Sequence, residues 1–322
     1  MQLQQPPAPY SLHQHLDFAP LFSLIQPHLI HALPLYSTLQ TPGIPTPIYA
    51  SFPPPRTGDG VDLTEPSSPW FVLADVGNQL RFFCSYETKE ALSGDERAQA
   101  EELIVGSLRW YLRERHEGRP DIRIGAIPDI WTAAIERAFS KPFSLSSIWY
   151  QPLLSPKDSM SDRGMVVVVL PDGVAVKEAE EAHIAQILAT SEVPHPPTYI
   201  LTRLPHTTAL FHSTSTSSAS SSPELIAHSI THRDGSIGTV FVNRPFRAQG
   251  VGAAVLQERM RAMAVTPPLV GGEEAARFAY CYVSPTNEKS RALMRKIGMK
   301  CSEWGVSWAV VELPLGGTDG QA

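Results

Sequence analysis

Arg247-Ala-Gln-Gly-Val-Gly252 is the stretch whose residue types and spacing most directly suggest chemistry. An apolar run from Thr239 to Val242 precedes it. A helix-periodic run from about Gly250 to Met263 follows, with Leu256, Met260 and Met263 in register. The first turn of a helix leaves backbone N–H groups unpaired and carries partial positive charge. Glycine there removes the side chain that would keep a diphosphate away from those amides. Arg244, Arg247, Arg259 and Arg261, set against the single carboxylate of Glu258, are expected to add a local cationic excess. A GxG alone is usually plain helix punctuation. The strand before it and the helix after it are what make this one a candidate anion site.

With those residues in view, the sequence resembles the GNAT superfamily of N-acetyltransferases, whose coenzyme A loop reads Arg/Gln-x-x-Gly-x-Gly/Ala. Phe246 occupies the aromatic position that often precedes the arginine, and a second motif follows in order. Asn287-Glu-Lys-Ser290, continuing through Leu293 to Gly298-Met, is similar to the family's Asn-x-x-(Ser/Ala)-x-x-Leu…Gly-Phe helix. The resemblance implies that Arg247, Ala248, Gln249, Gly250, Val251 and Gly252 hold the pyrophosphate. It implies that the strand at Phe241 and Val242 pairs with pantetheine, and that Asn287, with Ser290 in its motif, contacts the cofactor. Weaker similarity at Leu33-Pro-Leu-Tyr-Ser, Gly125 to Trp131, Pro171 to Val176 and Tyr199 to Pro205 resembles the glycine N-acyltransferase-like branch. In that branch a degenerate acetyltransferase-like half precedes the catalytic one.

The implied activity is transfer of an acyl group from acetyl-CoA or another acyl-CoA, used as co-substrate, to a primary amine. A small amine or amino acid is the expected acceptor, since relatives with such an N-terminal half act on small molecules. The alternatives are a protein N-acetyltransferase and a non-catalytic acyl-CoA-binding module. Transfer to an amine needs a proton acceptor, and the departing thiolate needs a proton. The position matched to the base of the glycine acyltransferases is Ser236, which is no base at neutral pH, and Met294 stands where relatives often have a tyrosine. His228 and His232, of equal strand parity, are the candidate bases. Asp234, in an Asp-Gly pair, reads as a turn former. Tyr280, Tyr282 and Ser284 are the candidate acids, while Cys281 has opposite parity and reads as a small buried hydrophobe.

The elements that must position these residues follow from periodicity and turn signals. Leu225 to Thr231 and Ile237 to Val242 read as a hairpin through Arg233-Asp-Gly235. Phe278 to Val283 reads as a strand, and Glu288 to Ile297 as a helix stopped by Gly298. Val166 to Val169 and Val174 to Val176 read as strands around Pro-Asp-Gly, and Glu180 to Thr190 as a short helix. In the N-terminal half, Trp70 to Ala74 and Leu80 to Tyr86 read as a hairpin. Helices are expected from about Asp95 to His116, capped by Ser93 or Asp95, and from Pro128 through Trp131, Ile135 and Phe139. Trp304 and Trp308 read as packing residues.

The fold class is therefore α/β, a GNAT acyl-CoA N-acyltransferase fold with a mixed, mostly antiparallel sheet flanked by helices. The expected division is a degenerate N-terminal acetyltransferase-like domain over 1–155, a linker over 156–164, and a catalytic domain over 165–322. The 322 residues carry a formal net charge of −6 with no long basic stripe, which argues against nucleic acid as a partner. No apolar run approaches the ~20 residues of a membrane span. Cys84, Cys281 and Cys301 lack metal or disulfide spacing, so no metal is expected, and a reducing, cytoplasmic setting fits.

Overall fold

In the computed structural model, residues 10–41, 47–55, 66, 69–77, 79–115, 118–153, 169–213, 223–266 and 277–313 are described. The expected linker over 156–164 and most of the expected strand over 166–169 lie outside them. In chain order the first elements are β1 (His13–His15), α1 (Ala19–Ile25), α2 (Leu33–Gln40), β2 (Ile48–Ala50), β3 (Phe71–Asp75) and β4 (Gln79–Cys84). Next come α3 (Gly94–Arg115), β5 (Asp121–Pro128), α4 (Asp129–Ala138), β6 (Phe143–Pro152), β7 (Val174–Lys177), α5 (Ile184–Thr190) and α6 (Pro197–Arg203). The last are β8 (Thr207–His212), β9 (Glu224–Thr231), β10 (Ile237–Val242), α7 (Val251–Val265), β11 (Phe278–Val283), α8 (Glu288–Lys296) and β12 (Lys300–Glu312).

Contacts divide the chain into two compact units. Among the described residues, the first takes those up to Ser146 and those from Trp304 onward; the second takes those from Ser147 to Glu303. The sequence division assigned everything after 164 to one half. Instead β12 contributes its later residues to the first unit, because Val306 to Glu312 pair antiparallel with Pro128 to Asp121 of β5.

In the first unit β1, β2, β3 and β4 form an antiparallel run. The helix α3 carries the chain over so that β5 lies parallel to β4, with Gln79 opposite Arg123 and Leu80 opposite Ile124. Alternation puts Phe71, Leu73, Leu80, Phe82, Ile122 and Ile124 on one face, against Ile104, Leu108 and Tyr111 of α3 and Trp131 and Ile135 of α4. Ser93 starts α3 with a capping box: its Oγ accepts from the Glu96 amide at 3.2 Å, and the Glu96 carboxylate accepts from the Ser93 amide at 2.9 Å.

In the second unit β10, β9, β8 and β7 make a four-stranded antiparallel sheet. One face buries Ile187, Ile200, Ala209, Phe211 and Ile230 under α5 and α6. The other buries Leu210, Ile226 and Ala227 against Val251, Ala254 and Val255 of α7. β11 follows α7 in the chain but pairs with β6, from Phe278 opposite Pro152 to Val283 opposite Ser147. The sheet therefore breaks between β10 and β11. The two units differ at this point, since the strands flanking α3 zip together and those flanking α7 do not. The architecture is the expected mixed α/β, mostly antiparallel one.

Candidate functional site

The glycine turn is built as the sequence suggests. Ala248 has φ of 64° and Gly250 has φ of 84°, two left-handed residues that swing the chain from the end of β10 into α7. Gly250 is the N-cap; no side chain caps the helix, and no acidic residue occupies its first turn. A Cβ added at Gly252 would come no closer than 3.5 Å to its neighbours, Leu293 and Val242 first, which is ordinary contact. Packing within the chain thus gives no reason for glycine at 252. Arg247, Ala248 and Gln249 are exposed. The Arg247 Nε donates to the Val242 carbonyl at 2.9 Å, and the Gln249 amide donates to the Pro245 carbonyl at 2.8 Å. Asn287 caps α8 by accepting from the Ser290 amide at 3.1 Å.

The cationic excess is smaller than expected. Arg259 lies more than two turns into α7, roughly 12 Å from its start at the usual rise per residue, and is buried. Arg261 is paired with Glu258. Arg244 and Arg247 remain at the turn.

β10 carries a bulge beside the gap. Gly238 pairs with Ile230 and Phe241 with His228, so Thr239 and Val240 together oppose Ser229. Thr239 takes φ of 50° there. A bulge of this kind takes backbone groups out of the ladder and re-aims a side chain. Phe241 and Val242 follow on the edge that faces no paired strand.

The candidate bases share the α5–α6 face, as parity requires, but meet different surroundings. His228 is fully buried, with Nε2 2.9 Å from the Thr190 hydroxyl and its ring stacked near Phe241. Burial pushes its pKa down to about 4, which makes it a neutral core residue and a poor base. His232 is half-buried just past the end of β9. Its Nδ1 lies 2.7 Å from the Tyr199 hydroxyl and its Nε2 3.5 Å from the Thr239 hydroxyl. His195 stacks on Tyr199 with ring centres 4.6 Å apart, completing an aromatic cluster beside the bulge.

The candidate acids are spread along β11. Tyr280 is fully buried and donates to the Asp234 carbonyl at 2.6 Å, tying the strand to the hairpin turn. Tyr282 is half-buried, its ring edge-on to Tyr280 at 5.6 Å. Ser284 ends the strand, 2.9 Å from the Thr286 hydroxyl. Asp234 accepts from the Ser236 amide and hydroxyl at 3.1 and 2.6 Å, the turn-forming role expected of it. Cys281 is buried, its Sγ 3.5 Å from the Met294 sulfur. Sequence reasoning did not single out Tyr199 or the Thr239 bulge. A conformation of that kind has no residue-type signature.

Among the described residues no group of three His, Cys, Asp or Glu side chains is arranged to hold a metal. No helix among them is long and apolar enough to cross a membrane.

No protein-family model matches the chain, and no curated protein does. Solved structures do. A Drosophila protein from a structural genomics consortium is 15% identical, with a TM-score of 0.61 over 95% of this chain and 99% of that one. A putative acetyltransferase from Pyrococcus horikoshii is 9% identical, with a TM-score of 0.49 over 97% and 92%. A tandem GNAT protein from the clavulanic acid biosynthesis pathway is 12% identical, with a TM-score of 0.46 over 96% and 99%. At 15% identity the likeness to the Drosophila structure is one of fold alone.

Proposed function

We propose that the chain is an acyl-CoA-dependent N-acyltransferase acting on the primary amine of a small molecule or amino acid. One observation carries this reading. An uncapped helix, entered through left-handed Ala248 and Gly250, starts beside a bulged strand whose outer edge has no partner in the sheet. The amides of Val251 and Gly252 suit a diphosphate, with Arg247 and Gln249 at the rim. The outer edge of β10 at Phe241 and Val242, where the Val242 carbonyl also accepts from Arg247, suits an amide-bearing arm lying along it as an extra strand would. Asn287 and Ser290 open the neighbouring helix and complete this side of the site.

A bound thioester would supply the acyl group. The amine forms the new N–C bond as the C–S bond breaks, and His232 is the group placed to accept the amine's proton. Tyr199 fixes its imidazole from the other nitrogen. The thiolate gains a proton from Tyr282 or Ser284, the candidate acids that are only half-buried. His228 and Tyr280 act as core residues. The start of α3 in the first unit offers no like cradle, because Ser93 and Glu96 fill it and Asp95 adds another negative charge there.

A non-catalytic acyl-CoA-binding module is the second reading, favoured by Met294 in the core where a proton donor would serve. Calorimetry with coenzyme A, followed by thiol release from acetyl-CoA across a panel of amines and peptides, tests both. Binding with amine-dependent thiol release supports the transferase; binding without it supports the module. No binding removes both.

A further inference from the structure

Gly238 lies inside β10, where glycine weakens a strand and commonly marks a bulge or a close approach. The bulge does not explain it. The left-handed residue there is Thr239, with φ of 50°, whereas Gly238, one position earlier, stays out of the left-handed region. Backbone handedness therefore does not call for glycine at 238. Space does. Gly238 pairs with Ile230 and so faces α5 and α6, as His228 and His232 do. A Cβ added at Gly238 would overlap Nε2 of His232 and come 2.8 Å from its Cδ2, too close for a real side chain. The three nearest atoms all belong to that ring.

The ring has little freedom to withdraw. The main chain of His232 is pinned by the hairpin: its amide donates to the Ser236 carbonyl at 2.8 Å, and its carbonyl accepts from the Gly235 amide at 3.0 Å. Its Nδ1 lies 2.7 Å from the Tyr199 hydroxyl. Tyr199 is itself stacked on His195, with the Arg233 guanidinium 5.5 Å from its ring centre. Turning the imidazole away from β10 would break the bond to Tyr199. Nε2 is the nitrogen that faces the bulge, 3.5 Å from the Thr239 hydroxyl. For Nε2 to accept a proton, Nδ1 must already carry one, and the Tyr199 oxygen is placed to accept a hydrogen bond from it.

We propose that Gly238 is a positioning residue: its missing side chain is the niche that holds Nε2 of His232 at the bulge, so that the strand lining the thioester's path also sets the base. This rests on the transferase reading above. It also accounts for a glycine that the backbone does not require.

The test is a double-mutant cycle of Gly238→Ala and His232→Ala in the full chain. It is read by thermal melting, by NMR of the histidine rings and by thiol release from acetyl-CoA with the amine panel. Gly238→Ala is expected to lower Tm and to shift the ring resonances that His232→Ala removes. It should lower kcat about a hundredfold, the loss that a 1 Å misplacement brings, with coenzyme A affinity unchanged. In the His232→Ala chain the same substitution should leave Tm equal or higher, since alanine restricts the unfolded chain more than glycine does. The residual rate there should not fall further. A glycine needed only for the strand would cost as much stability in both backgrounds. Equal losses of Tm in both, unmoved ring resonances, or an unaltered kcat in Gly238→Ala would overturn the proposal. Should Gly238→Ala unfold alone yet fold together with His232→Ala, the rescue supports it; failure of both to fold overturns it. Coupling in Tm and ring resonances without thiol release from the wild type would sink the transferase reading and leave the packing of His232 on Gly238 standing.

Discussion

The Tyr199 hydroxyl lies 2.7 Å from Nδ1 of His232, and the opposite ring nitrogen points toward Thr239 at the bulge of β10. A histidine held from one side and presented from the other is oriented for proton transfer. His232→Gln is expected to lower kcat about 10²- to 10⁴-fold, the range of general base catalysis. Tyr199→Phe should lower it less, and neither should change coenzyme A affinity. Thiol-release kinetics beside calorimetry check this; an unaltered kcat in His232→Gln would remove it as the base.

The turn makes a different prediction at each glycine. Gly250 sits at φ of 84°, so Gly250→Ala should destabilise the protein by about 1 kcal/mol or more. Gly252 has room for a methyl group in ordinary contact with Leu293 and Val242, and Gly252→Ala should fold normally. Gly252→Glu should also fold yet lose coenzyme A binding through steric block and charge. Melting curves with calorimetry separate the two effects. A folded Gly252→Glu that binds as before would count against the cradle.

Stability should depend on pH with opposite signs in the two units. His228 has its pKa lowered from about 6.5 to about 4 by burial, so the unfolded chain binds its proton first as pH falls. Its contribution is present above pH ~6.5 and lost toward pH ~4, amounting to roughly 3 kcal/mol at most. Glu87 is buried, and desolvation raises its pKa to about 8, although it accepts from the Cys84 amide and the Trp131 indole at 2.9 and 3.1 Å. Here the folded state holds the proton longer. Its contribution is full below pH ~4.5 and lost as pH rises through ~8. Urea unfolding at pH 5, 7 and 8.5 tests both signs. Glu87→Gln keeps the accepting oxygen and should gain stability at pH 8.5, while His228→Leu should flatten the acid limb. The opposite slope in either variant would refute the assignment.

How much was legible depended on whether a signal was local. The β9–β10 hairpin, α7, β11, α8 with its Gly298 stop at φ of 86°, and the β3–β4 hairpin all announce themselves by period and turn residues. β5 and β12 do not. β5 reads Asp-Ile-Arg-Ile, then breaks alternation at Ala126, which has φ of 56°, and β12 shifts register between Ser307 and Ala309. Their partners lie far along the chain, so no window of sequence contains the reason for either strand. Trp304 read simply as a packing residue, and it does stack on His31, with ring centres 3.9 Å apart. Residue type was informative for the glycine turn and misleading for Arg259, counted with the turn although it lies deep in α7. His228 and His232 looked equivalent in sequence; their depth and their hydrogen-bond partners distinguish them.

The pairing of β12 with β5 bears on how the protein can be cut. A fragment ending in the expected linker would hold every element of the first unit except the strand that covers Val306 to Glu312, leaving the Asp121 to Pro128 edge raw. Such a fragment should aggregate, and co-expressing the remainder, or appending residues 304–313 through a flexible tether, should rescue it. Gel filtration of the three preparations would decide the matter. The two halves are thus interdependent as genetic modules: recombination between them would separate β12 from β5 and β11 from β6, which binds their inheritance together even where only one does the chemistry.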